Sequence, residues 1–172
     1  RPRPRRRART RSLRPSFPLM RGDLKIAITG ATGADGQALR GALANHKVPG
    51  HAIVTLSLKP EGGPPGDATA EQMDAIADLA DRYSFGEIRV GHDQNLVFPH
   101  VVQRDLPALR DALDAIGVAT PNVGLVSDII ACPGLDYCSL ANARAIPVAQ
   151  ELTRRFRDLD LARDLGRLHI NI

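Results

Sequence analysis

Between residues 52 and 117 the apolar residues change their spacing three times, and the order of those changes narrows the fold more than any other feature of the chain. Ile53, Val54, Leu56 and Leu58 make a short aliphatic run that reads as a strand over 52–58. Residues 59–66 hold three Pro and three Gly and read as a loop. Thr69 and Gln72 then stand three apart, the spacing at which a hydroxyl and an amide satisfy each other's end amides at a helix start. Met73, Ile76, Ala77, Ala80 and Tyr83 follow at helical spacing, and Gly86 ends that pattern. Residues 87–90 and 96–101 read as two strands joined through 91–95. Asp105 is the expected N-cap of a second helix, with Pro107 tolerated in its first turn. Leu106, Leu109, Leu113 and Ile116 form its apolar stripe, and Gly117 its stop.

Strand, helix, strand, strand, helix is most of a split-βαβ, ferredoxin-like unit, an α+β arrangement with both helices on one side of a sheet. Aromatic residues are only 3% of the 172 and Trp is absent, so the core must be aliphatic. No stretch approaches the ~20 apolar residues that span a bilayer, so no membrane partner is expected. Two cysteines are too few for a disulfide scaffold.

The flanks read differently. Nine of the 23 Lys and Arg fall in the first 21 residues, where no acid occurs. The other 14 stand against 19 acids, so the folded part is mildly acidic at −5. Residues 1–22 are expected to be a disordered basic tail, because Arg, Pro and Ser without apolar periodicity bury too little surface to offset ordering entropy. Nucleic acid is not the expected partner, since the rest of the chain is acidic and poor in aromatics to stack on bases. Residues 23–50 read as a strand–turn–helix lead-in, with the helix over about 35–44. Its Gly30, Gly33 and Gly36 open a second alternative, a nucleotide-binding module. The acid or Arg such a module needs after its second strand is replaced by Leu58, Lys59 and Pro60. Beyond 120, a strand over 123–130, a helix from Cys138 to about 165 divided by Pro147, and a strand over 168–172 are expected.

The chemistry-bearing feature is Cys132 and Cys138, five residues apart around Pro133 and Gly134. A Pro/Gly-shaped loop can wrap thiolates around an iron–sulfur cluster. Zinc sites usually space their cysteines more tightly. Two unrelated cytosolic thiols remain the other reading. His46, His51, His92, His100 and His169 show no metal-ligand spacing.

Three segments carry a family likeness in order: Pro-Pro-Gly-Asp-Ala-Thr at 64–69; Gly-Glu-Ile-Arg-Val at 86–90 with Asp-Gln-Asn-Leu at 93–96; and Ala-Cys-Pro-Gly-Leu-Asp-Tyr-Cys-Ser-Leu-Ala at 131–141. Together they resemble the C-terminal half of the sulfite/nitrite reductase hemoproteins, which couple a sirohaem to a [4Fe–4S] cluster. That family's cluster pattern is a Cys-x5-Cys pair followed by a Cys-x3-Cys pair, and Cys132 and Cys138 match the first. Residues 168–172 look like the strand leading into the second. The resemblance implies a ferredoxin-like half-domain over 51–119, then over 120–172 the first part of a sirohaem/iron–sulfur α/β domain, truncated before the second pair. It implies Cys132 and Cys138 as cluster ligands, with Gln94, Asn95 and Arg89 in the cofactor pocket. The implied function is six-electron reduction of sulfite to sulfide, or alternatively of nitrite, with ferredoxin or a flavoprotein as electron donor. The expected compartment is the cytoplasm, and the fragment alone is expected to be inactive.

Overall fold

The computed structural model describes residues 42–172, except for the side chains of residues 159 and 160. The basic tail and the Gly30, Gly33 and Gly36 turn lie outside the described residues. Strands β1 (Leu43–Asn45), β2 (His51–Leu56), β3 (Arg89–Val90) and β4 (Leu96–Val102) form one antiparallel sheet in the order β1-β2-β4-β3. Helix α1 (Ala70–Tyr83) links β2 to β3, and α2 (Leu106–Ala115) follows β4. Because β4 runs antiparallel to both neighbours, β2 and β3 are parallel with β4 between them, which is the expected split βαβ.

The lead-in departs from expectation. Residues 43 and 44, read as the end of a helix, instead belong to the edge strand β1, which pairs with Ala52, Ile53 and Val54. Pairing with the edge of β2 overrides the helical preference of an Ala-Leu run.

Alternation builds the core. Ala52, Val54 and Leu56 of β2 are buried on the helix side. In β4 the register slips between the pairs Ala52–Val101 and Val54–Phe98, placing an extra residue at Pro99–His100. Proline donates no ladder hydrogen bond, so a bulge is where a strand accepts it. The slip lets Phe98 and Val101 both pack against Ile76 and Ala80 of α1 and Leu106, Leu109 and Leu113 of α2. Met73, expected on that face, is 41% exposed.

The predicted capping box is present: Gln72 N donates to Thr69 Oγ1 at 3.2 Å, and Thr69 N to Gln72 Oε1 at 2.9 Å. Gln72 Nε2 also donates to Ile116 O at 2.8 Å, tying the start of α1 to the end of α2. Thr69→Ala is expected to lower stability by about 1 kcal/mol, measured by urea denaturation; an unchanged midpoint would show the cap is redundant. Asp105 precedes α2 without a side-chain cap, and Gly117 ends it at φ +74.

Beyond 118 the expectations need more correction. Residues 123–130 are a series of turns, not a strand; only Ile130 bridges, in parallel, to Asn171. The strand expected over 168–172 is reduced to that one bridge. Pro147 begins α3 (Ile146–Arg155) rather than dividing a longer helix, since its fixed φ and missing N–H suit a first turn. A short α4 (Leu159–Asp164) follows. Ile129, Ala131 and Ala149 form a second small core, packed by Leu152 and Ile170. No helix among the described residues is long and apolar enough to cross a membrane.

Candidate functional site

The loop that carries both cysteines is pinned from three sides. Ile130 N donates to Ile170 O at 3.0 Å, and Cys132 N to Ile172 O at 2.8 Å. Gly134 sits at φ +60, and a Cβ there would lie 2.8 Å from Ala143 O, so the backbone passes where only glycine fits. Leu135 N donates to that same carbonyl at 3.0 Å, and Cys138 N closes a turn on Gly134 O at 2.8 Å. Both thiols are free, Cys132 exposed and Cys138 half-buried. Among the described residues no three His, Cys, Asp or Glu are grouped to hold a metal ion. The chain therefore brings two soft thiol donors on one shaped loop, which fits half the ligand set of a cubane cluster.

The turn between β3 and β4 reaches this loop. Gln94, at φ +58, donates from Nε2 to Ala131 O at 2.9 Å and accepts from Ala131 N at 3.0 Å. Asn95 is fully buried, accepting from Leu58 N at 3.2 Å and donating to Asp128 Oδ1 at 3.0 Å. Arg89 lies elsewhere: it is exposed on β3, and its guanidinium engages Glu87 at 2.7 Å. That neighbour holds the Glu87 carboxyl below the usual carboxylate range.

Sequence reasoning missed the polar network beneath the site. Lys59 and Asp128 are 2% and 3% exposed and pair at 2.5 Å. Lys59 Nζ also donates to Asp93 O, and Gly124 N donates to Asp128 Oδ2 at 2.7 Å. Ser57 Oγ donates to Asn122 Oδ1 at 2.6 Å, and Asn122 Nδ2 to Lys59 O at 3.0 Å. The signal was available: a lone Lys at the end of an apolar strand, and a lone Asp within the apolar run 123–130. Such groups are buried only when paired.

On the other side of the sheet, His100 Nδ1 lies 3.0 Å from His46 Nε2, and its Nε2 lies 3.1 Å from Glu87 Oε2. Partial burial holds the His46 imidazole below its ordinary value of 6.5, aided by His100 and His51 and opposed by a hydrogen bond with Val48. A histidine harder to protonate folded than unfolded contributes stability above the unfolded value, lost as pH falls through it towards the folded one. Acidifying from about pH 8 to about pH 5 is expected to lower the melting temperature less in His46→Gln than in the parent. Equal losses would assign the acid sensitivity to other groups. A largely apolar cavity of about 160 Å³ between β1, β2 and α2 shares no lining residue with the cysteine loop.

Fold and site define an α+β half domain of the ferredoxin-like type, docked through a buried polar network onto a cysteine loop. Residues 50–116 match the family described as the nitrite/sulfite reductase ferredoxin-like half domain. Through this half domain the chain is similar to the sulfite/nitrite reductase family. The ferredoxin–nitrite reductase of Synechococcus elongatus is 33% identical over 110 residues, covering 62% of this chain and 21% of that protein. The chloroplastic ferredoxin–nitrite reductase of Zea mays is 35% identical over 98 residues, covering 54% and 17%. The structure of the Mycobacterium tuberculosis NirA protein superposes with a TM-score of 0.56 at 26% identity, over 76% of this chain and 24% of that one. The chain thus spans about a fifth of the length of the curated relatives it matches.

Proposed function

We propose that this chain is part of a ferredoxin-dependent nitrite reductase that takes nitrite through a six-electron reduction. The observation that carries the choice of substrate is the naming of its curated relatives, which are ferredoxin–nitrite reductases. The family likeness of the sequence leans towards sulfite. Sulfite is kept as the second reading because the matched half domain is described for both activities.

Cys132 and Cys138 would hold one side of a [4Fe–4S] cluster, the other two thiolates coming from a second pair that this sequence does not contain. When bound, the cluster and a sirohaem supply the electron transfer. This chain's own residues hold and orient: Gly134 lets the cysteine loop turn close against residues 143–145, and the buried Asn95 and Asp128 fix the platform beneath it. Gln94 and Asn95 are the pocket residues proposed from this half; Arg89, engaged with Glu87 on the edge strand, is the more distant one. Two free thiols suit a reducing compartment, and the cytoplasm is the proposed location.

The test uses the completed protein, carrying both halves and both cysteine pairs, with chemically reduced ferredoxin. Ammonium from nitrite at a kcat/KM above that for sulfide from sulfite is the expected result. The reverse preference would install the second reading, and no turnover of either would reject both.

A further inference from the structure

We infer that Gln94 is a positioning residue for the cysteine loop: its amide group, bonded to both the N–H and the C=O of Ala131, fixes where the adjacent Cys132 presents its thiol. The inference rests on the proposed reading of Cys132 as a cluster ligand. Paired bonds of 2.9 and 3.0 Å to one residue reproduce, with a side chain, what a neighbouring strand gives. They hold Ala131 against translation and against rotation of its peptide planes. The next residue along, Cys132, is held from another direction by its bond to Ile172 O. The loop is therefore fixed at two consecutive residues while the thiol itself stays exposed.

Three observations show that the side chain is placed for this. Gln94 adopts φ +58, a left-handed conformation that a non-glycine residue holds only when its surroundings over-determine it. Its neighbour Asn95 is anchored on both sides, to Leu58 N and to Asp128, so the start of the Gln94 side chain cannot drift. Gly66 lies under it: a Cβ at residue 66 would come within 2.8 Å of Gln94 Cβ. Gly66 is itself held at φ +79, with its N–H on Leu58 O at 2.8 Å. The Pro-Pro-Gly and Gln-Asn segments, far apart in sequence, meet here, and together they aim one amide at the cysteine loop.

The variant Gln94→Gly removes the clasp and relieves the left-handed strain. In the 172-residue chain it is expected to accelerate hydrogen exchange at the Ala131 amide about tenfold, the loss expected from a hydrogen bond of ordinary net strength, with exchange in β2 and β4 unchanged. Gln94→Glu, which keeps the acceptor for Ala131 N–H and loses the donor, is expected to fall between. In the completed protein, Gln94→Gly should hold iron against a chelator about 10- to 100-fold less tightly, as outer-sphere substitutions do, with a shifted cluster spectrum. Unchanged exchange at Ala131 in Gln94→Gly would overturn the inference. So would faster exchange with unaltered iron retention and spectrum, provided Cys132→Ser still loses the cluster. Full iron in Cys132→Ser would instead sink the ligand reading itself.

Discussion

Asp128→Ala is expected to destabilise the chain by about 3–5 kcal/mol, because it strands a buried ammonium. Lys59 is 2% exposed, and Asp128 is the carboxylate that faces it. The same carboxylate accepts from Asn95 Nδ2 and from Gly124 N, so its removal leaves two further donors without partners. Desolvated charges are strongly destabilising alone and far less so when both are removed. The double variant Lys59→Met/Asp128→Ala should therefore recover part of the loss. Urea denaturation of the three proteins measures this. A single-variant loss under about 0.5 kcal/mol, the range of surface substitutions, would mean that water reaches Lys59 in solution.

Cys132→Ser in the completed protein is expected to abolish the cluster. A cubane takes four thiolates, and a serine hydroxyl stays protonated where a thiol ionises, so it is a harder and poorer donor to iron. Cys138→Ser should act alike, since both residues sit on one loop whose turn is closed by Gly134. Iron content per chain and the visible absorption of anaerobically reconstituted protein report the result. Four irons and an intact cluster spectrum in either variant would remove that cysteine from the ligand set.

Local signals served well where the fold is local. The Thr69–Gln72 box, the 3.6-residue stripe of α2 and the stop at Gly117 depend on neighbours within a turn or two, and all three stand as read. What failed depended on distant pairing. Residues 43–45 became a strand because the edge of β2 was there to receive them. The apolar run 123–130 had strand composition but no ladder partner beyond Ile130, and its backbone turned instead around Asn122 and Asp128. At the site, cysteine spacing pointed to the loop from sequence, and the likeness of the Gln-Asn segment pointed to its neighbour. Lys59 and Asp128, 69 positions apart, could be matched only once the fold had brought them together.

The strand β1 and the Lys59–Asp128 pair bear on where this half domain can be cut. The stretch that matches the family, 50–116, stops short of β1 on one side and of Asn122 and Asp128 on the other. The matched stretch is therefore smaller than the unit that seals itself from water. A cassette cut at the family borders would expose the open edge of β2 and leave an orphaned lysine in its floor. Grafting this half domain into another protein would succeed only with borders widened to about 42–131, so that the transplant brings its own selvedge and its own counter-charge.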